Sequence, residues 1–310
     1  MRRSVNREVT VVIPTYGAGT CLTSVLRGLA AQDHRDFEVI VVDNNPRQKW
    51  NPSLPGRHLP TSVVHEPRNG LQHARNAGVG NARGLYVAFL DDDGVPLPTW
   101  LKCLVEGTRR YGAMAGGGSV SLEFESDPPS WFGVQERTLL SELTHPCDIP
   151  AIADHMYIVG ANMCIDRRAF EKVGLFDARF DRTATSLRSS GELEFTRRLQ
   201  SADERVSFIA SAWVRHQIPG ARLTKRYLLS RAYWQGRSDA LLQSAWGRPA
   251  AFGQRDWRSN IKALYSRLRA LIASPSYDET IVRGFSLARE LGYCFQTAIL
   301  SGRPLGHPLR

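Results

Sequence analysis

Residues 9–13 and 37–42 are short, mostly β-branched runs, and between them Leu22, Val25, Leu26, Leu29 and Ala30 recur at helical spacing. β-Branched runs favour strands, and apolar residues three and four apart line one face of a helix. A strand, a helix and a strand in that order close through a right-handed crossover, which makes the two strands parallel. The pattern continues with a third strand at residues 62–65, a helix over 71–82 and a strongly apolar fourth strand at 85–90. The expected class is α/β, an open and mostly parallel sheet flanked by helices. In such sheets ligands bind beyond the carboxyl ends of the strands. Asp43 follows the second strand and Asp91, Asp92 and Asp93 follow the fourth, so the topology can bring them to one crevice.

Further along, residues 98–110 read as a helix, and 115–118 as a glycine-rich turn or as backbone that something approaches closely. Residues 123–150 carry Pro128, Pro129, Pro146 and Pro150 and are expected to be irregular, a candidate mobile loop. A strand over 157–165, a short helix over 167–173 and a helix over 191–200 follow, then short extended pieces at 206–209 and 213–214. Beyond Arg222 the chain becomes helical, with Ile261, Leu264, Tyr265, Leu268, Leu271 and Ile272 forming an apolar stripe. The expected division is a catalytic domain over 1–220, with halves of about 1–120 and 121–220, and a helical region over 221–310.

The 310 residues are 42% hydrophobic, enough for a substantial core. No run approaches the roughly 18 to 20 apolar residues of a membrane-spanning helix. Met1 and Arg2 lead directly towards the first strand, so neither a signal peptide nor a span is expected. The five cysteines are odd in number and dispersed, which suits neither a disulfide framework nor a zinc cluster and points to a reducing cytoplasm. The net charge is +10, and its placement matters more than its size: residues 1–220 hold 25 basic and 25 acidic side chains, residues 221–310 hold 15 and 5. A segment so basic can meet an anionic membrane, a nucleic acid or a polyanionic acceptor.

The aspartate triplet is the clearest chemical signal. In an extended chain Asp91 and Asp93 point one way and Asp92 the other. Two carboxylates held close repel unless a positive charge lies between them, and a hard divalent cation that also binds phosphate oxygens suits that position. The plainer alternative is an acidic surface turn before a helix.

The run VTVVIPTYG, the strand FEVIVVDNN, the segment RNGLQHARNAGVGNARGLYVAFLDDDGVP and the later GANMCIDRRAFEKVGLFDARF together resemble glycosyltransferase family 2 of the GT-A fold, over residues 9–236 and with motif order and spacing kept. The resemblance implies a Rossmann-like sheet with a helical C-terminal extension and an enzyme that uses a nucleotide-diphosphate sugar. It implies that Pro14, Thr15, Tyr16 and Asp43 hold the nucleotide, the Tyr16 ring against the base and the Asp43 carboxylate accepting from base or ribose. It further implies that Arg75 reaches the base or diphosphate, that Asp91 and Asp92 belong to the donor site, and that Asp93, with His216, holds Mn²⁺ or Mg²⁺. An imidazole ligand favours Mn²⁺. For single residues the alternatives are a half-buried turn tyrosine at 16, a solvated helix arginine at 75 and a structural histidine at 216.

The candidate base departs from the family pattern. The run here is Ser190, Gly191, Glu192, Leu193, Glu194, Phe195, and if Phe195 and Arg198 fix the register, Glu192 takes the position of the usual catalytic aspartate, with Glu194 as runner-up. The alternative for Glu192 is an acid stabilised at a helix N-terminus. The implied mechanism is single displacement with inversion. Gly160, Ala161 and Asn162 match a turn near the donor sugar and acceptor, or form a tight strand bend. Trp131 and Phe132 are an acceptor platform or an anchored loop.

Two other classes compete. A nucleotidyltransferase would place a basic glycine-rich loop after the first strand, and residues 15–19 lack the basic part. A non-catalytic nucleotide-sugar or polyanion binder is compatible with the basic C-terminal region, but aromatics interleaved with lysines along a strand are missing, so a nucleic-acid partner is not expected. The implied setting is cell-surface polysaccharide or glycolipid synthesis of bacterial type at the cytoplasmic face of a membrane, with a carbohydrate or lipid-linked acceptor. The C-terminal helices either attach to an anionic membrane surface or pack their apolar faces on the catalytic domain.

Overall fold

The computed structural model describes residues 7–17, 20–46, 59–246, 257–274 and 276–301. The expectations for Met1 and Arg2, for the end of the 15–19 segment and for parts of the basic C-terminal region lie outside them. The described chain forms two compact units, one built from Met1–Glu125, Leu140–Ala184 and Gly191–Ile218, the other from Ser126–Leu139, Thr185–Ser190 and Pro219–Arg310.

In the first unit, β1 (Val9–Thr15), β2 (Phe37–Asp43), β3 (Thr61–His65) and β4 (Tyr86–Leu90) are parallel neighbours, with α1 (Thr20–Ala30) and α2 (Leu71–Asn81) as crossovers. β5 (Gly94–Pro96), α3 (Trp100–Arg110) and β6 (Ala115–Phe124) follow, and after the segment in the second unit come β7 (Asn162–Asp166), α5 (Arg168–Val173), α6 (Gly191–Ser201) and β8 (Val206–Ile218). The eight strands make one sheet in the order β3-β2-β1-β4-β7-β6-β8-β5, with β7 and β5 antiparallel to their neighbours. The sheet is therefore mostly parallel, as the alternation of strands and helices requires.

Why the strands read as continuous apolar runs is visible in the two cores. Val11, Ile13, Val39, Val41, Ala88 and Leu90 pack with Leu22, Leu26, Leu29, Trp100 and Leu104 on one face of the sheet. Val12, Ile40, Val42, Val87 and Phe89 pack with Ala74, Phe170, Phe176 and Phe195 on the other. Side chains alternate along a strand, so a sheet covered on both faces needs apolar residues at every position. Each such side chain contributes about 1.5–3 kcal/mol on burial.

Several expectations are corrected. Residues 115–118 are no turn: they lie inside β6, and a Cβ on Gly118 would come 2.2 Å from the Ala212 carbonyl oxygen, so close backbone approach is what the glycines serve. The strand expected over 157–165 begins only at Asn162, because residues 160 and 161 turn, with Asn162 N–H donating to Val159 O at 3.1 Å. The two pieces expected at 206–209 and 213–214 are one strand whose register on β6 shifts between Gly118 and Ser119, a bulge. The segment 123–150 is not wholly irregular, since β6 reaches Phe124 and α4 spans Val134–Leu139.

The second unit is helical beyond residue 222, as expected, with α7 (Lys225–Trp246), α8 (Trp257–Ile272) and α9 (Tyr277–Ser301). α7 and α9 cross at backbone contact: a Cβ on Gly236 would lie 1.8 Å from Arg289 O, and one on Gly292 1.9 Å from Tyr233 O. Trp131 is buried and packs on Phe285 at 5.6 Å between ring centroids, an anchored side chain. Ile261, Tyr265, Leu268 and Ile272 of the apolar stripe are exposed, so that face of α8 is not packed away. No described helix is long and apolar enough to cross a membrane.

Candidate active site

The carboxyl ends of β1, β2 and β3 lie side by side, with Thr15 in register with Asp43 and Asp43 with His65. Pro14 and Thr15 are buried at the end of β1, and Tyr16, the next residue, is half exposed. Asp43 is buried, its Oδ1 accepting from Asn45 N–H at 3.1 Å and its Oδ2 lying 3.3 Å from His65 Nδ1. At this corner Tyr16 is exposed and His65 partly so.

The aspartate triplet does not continue β4 as extended chain. It turns: Gly94 N–H donates to Asp91 O at 3.0 Å. Asp92 Oδ2 accepts from Thr15 Oγ1 at 2.6 Å, tying the turn to the end of β1. Asp93 is buried and its Oδ1 lies 3.0 Å from His216 Nε2 on β8. Asp91 Oδ1 lies 3.7 Å from Arg75 Nη2. Burial pushes the Asp91 carboxyl above the usual carboxylate range; the Arg75 guanidinium opposes the shift and the Asp93 charge adds to it.

Arg75 is no solvated helix arginine. It is 2% exposed, with Phe176 under its guanidinium at 5.7 Å and Glu192 Oε2 3.6 Å from its Nη1. The guanidinium therefore spans two carboxylates from different elements, Asp91 after β4 and Glu192 on the first turn of α6. A Cβ on Gly160 would lie 2.1 Å from Arg75 Nη2, so the glycine leaves the room that the guanidinium occupies. Ala161 beside it is buried.

The two candidate bases differ sharply. Glu192 is partly exposed and faces Arg75. Glu194 is buried and held by Arg198, whose Nε lies 2.9 Å from Oε1 and whose Nη2 lies 2.9 Å from Oε2; burial raises its pKa against the pull of that arginine. Asn162 is wholly buried: Oδ1 accepts from Trp100 Nε1–H at 2.8 Å, and Nδ2 donates to Ser119 O and Ala212 O at 2.9 and 2.8 Å. Its amide knits α3, β6, β7 and β8 together, and its side chain is not presented to a ligand.

The donor set at Asp93 and His216 fits a divalent cation. Leu140 O can only accept, so His216 Nδ1, 2.9 Å away, carries the ring proton, and Nε2 turns a lone pair on the Asp93 carboxylate unless a proton or a metal ion lies there. Adjacent ligands of an octahedral ion at about 2.1 Å are themselves about 3 Å apart, which is the separation seen. Among the described residues no three His, Cys, Asp or Glu side chains converge as a complete cage. Ions that keep water and substrate phosphate as ligands are held in this way.

His65, Gln72 and Asp181 are site neighbours not singled out from the sequence. Asp181 Oδ1 accepts from Gln72 N–H and so caps α2 from 109 residues away, and Gln72 Oε1 lies 3.5 Å from Arg75 Nη1. For His65 a signal existed, its position at the end of the third strand beside Asp43. For Asp181 none did, because its role depends on the path of a distant loop.

Residues 10–174 match the model of Glycosyl transferase family 2. The chain is 24% identical over 309 residues to the Glucosyl-dolichyl phosphate glucuronosyltransferase of Haloferax volcanii, covering 95% of this chain and 97% of that one. It is 28% identical over 234 residues to Succinoglycan biosynthesis protein ExoM of Rhizobium meliloti, 71% of each chain. Among solved structures it resembles S. aureus TarS, with a TM-score of 0.53 at 15% identity over 94% of this chain and 55% of that longer one. Against TarS 1-349 in complex with UDP-GlcNAc the TM-score is 0.52 at 14% identity, covering 95% of this chain and 91% of that one.

Proposed function

The chain belongs to glycosyl transferase family 2, has the GT-A fold and is a glycosyltransferase, and on that premise we propose that it moves a sugar from a UDP-sugar to an acceptor hydroxyl with inversion. The observation that supports the proposal is the buried Arg75 guanidinium, 3.7 Å from Asp91 and 3.6 Å from Glu192, which the aspartate turn and the candidate base share. The TarS structure in complex with UDP-GlcNAc supports the donor class.

At the nucleotide end, the Tyr16 ring stacks on the base, and Asp43 orients His65, whose exposed edge meets it. Thr15 holds Asp92 and so fixes the turn. Asp93 and His216 are the residues that would hold Mn²⁺ or Mg²⁺, and such an ion would supply charge neutralisation for the diphosphate leaving group. Glu192 accepts the proton of the acceptor hydroxyl as its oxygen attacks the anomeric carbon, and general-base help of this kind is worth about 10²–10⁴-fold. Arg75 aims Glu192, and its second amino group steadies Asp91. Gly160 leaves the space in which the Arg75 guanidinium sits, and so serves the site through that arginine.

The acceptor is a carbohydrate or a lipid-linked sugar of a cell-surface polysaccharide or glycolipid pathway, met at an anionic membrane surface by residues 221–310. The names of the archaeal and rhizobial relatives support that class.

Calorimetric titration of UDP, dTDP and GDP, with and without Mn²⁺, on the wild type and on Asp93→Asn tests the donor site. UDP binding that needs the ion and disappears in the variant is expected. Equal binding without Mn²⁺, or unchanged binding in Asp93→Asn, overturns the metal assignment; binding of none of the three overturns the donor assignment.

A further inference from the structure

We infer that one face of α8 is the surface by which this chain lies on an anionic lipid bilayer, with Ile261, Tyr265, Leu268 and Ile272 entering the interface and Lys262 and Arg269 meeting lipid phosphates. The inference deepens the proposed membrane setting of residues 221–310 and rests on it.

The four apolar side chains are 57, 62, 45 and 78% exposed. Scattered exposed apolar residues are ordinary on any protein, but these four are spaced four, three and four apart. At about 100° per residue they fall within an arc of about 60° and form a continuous ridge over three helical turns. An exposed ridge of that kind, with a tyrosine among aliphatic residues, is what an interfacial helix presents to the boundary between headgroups and acyl chains.

Charge selects the occupant. The sequence of α8, WRSNIKALYSRLRALI, holds four basic residues and no acidic one. Lys262 and Arg269 flank the ridge on one side, and Arg269 also leans over the Tyr265 ring at 5.9 Å. A second copy of the chain docked by this face would set two such basic helices against each other with no acid between them, since a two-fold interface pairs like with like. A nucleic acid would satisfy the arginines and leave the apolar ridge uncovered. An anionic bilayer satisfies both parts at once, with apolar area in the acyl boundary and each basic side chain near the surface contributing about fivefold in partitioning. At sixteen residues α8 is about 24 Å long and lies in the plane, and no described helix has the length and apolarity to span.

The test is co-flotation of the whole chain with phosphatidylcholine vesicles, with and without phosphatidylglycerol, at low and high salt. Association with the anionic vesicles only, weakened by salt, is expected. Lys262→Gln/Arg269→Gln lowers it by about twenty-five-fold. Ile261→Ser/Leu268→Ser/Ile272→Ser abolishes it with an unchanged thermal transition, because the replaced side chains are exposed. Wild-type protein that stays with the soluble fraction at low salt overturns the inference, as does flotation that survives the serine variant. A concentration-dependent dimer in sedimentation that the serine variant dissolves assigns the face to a second copy instead and also overturns it. UDP titration of the same preparations keeps the two proposals separable: vesicle binding without UDP binding leaves the surface standing and removes the donor assignment, and the converse removes only the surface.

Discussion

Arg75 Nη1 lies 3.6 Å from Glu192 Oε2, although the two residues stand more than a hundred positions apart and neither is on a loop. The arginine is buried on α2, and the carboxylate sits on the first turn of α6, partly open to solvent. A buried guanidinium needs anionic partners, because an isolated charge in a protein interior costs several kcal/mol. Asp91 and Glu192 supply them, so the same contact that satisfies Arg75 fixes where a base can act.

The two glutamates of α6 are separable by experiment. Glu192→Gln is expected to lower kcat by about 10²–10⁴-fold with UDP affinity unchanged, and to lower stability as well, because buried Arg75 loses one of its two anionic partners. Glu194→Gln should keep kcat while lowering stability by about 1–3 kcal/mol, because the Arg198 clamp loses its charged partner. Steady-state kinetics and urea titrations on both variants decide between them.

Gly160→Ala is expected to reduce turnover through Arg75. The new methyl would sit 2.1 Å from Nη2, so the guanidinium must leave its place between Asp91 and Glu192. Overpacking of this kind costs about 1–3 kcal/mol. The double variant Gly160→Ala/Arg75→Ala should recover stability without recovering kcat, and a recovery of both would show that the glycine serves something else.

Asp91 carries a pH signature in the ligand-free protein. Burial raises its folded pKa, so the folded state holds its proton more tightly than the unfolded chain does. Its contribution to stability is therefore most favourable below the ordinary carboxylate range and declines as pH rises through the raised value. Asp91→Asn should lose less stability than the wild type as pH rises from about 4 to neutral. Thermal scans across that range check the sign, and activity should be lost in the variant throughout.

Asn162→Ala should be among the most damaging single substitutions in the sheet. It leaves the Trp100 indole N–H and the Ser119 and Ala212 carbonyls without their buried partner. Each unsatisfied group costs about 1–3 kcal/mol, so a loss of about 3 kcal/mol or more in urea denaturation is expected.

What the sequence determined by itself was everything that repeats locally. The β-branched runs before Pro14 and Asp43 and the apolar stripe of α1 specify the parallel unit, because alternation and helical periodicity are properties of neighbours in the chain. The triplet at 91–93 announced itself by standing at the end of the most apolar strand. Local pattern failed where the partner was distant. The chain at 91–93 turns where an extended run was expected, and only the fold shows that Thr15, His216 and Arg75 each approach a different carboxylate. Glycines at 116–118 read in one dimension either as a turn or as closely approached backbone, and the packed neighbours, which leave a Cβ no room, decide for the second. Glu192 and Glu194 carry the same functional group two residues apart, and it took the tertiary positions of Arg75 and Arg198 to give one an open carboxylate beside the crevice and the other a buried clamp. The same holds for α8: its period was legible in the sequence, but whether its ridge was covered depended on what folds against it, and only the tertiary structure leaves Ile261, Tyr265, Leu268 and Ile272 in the open.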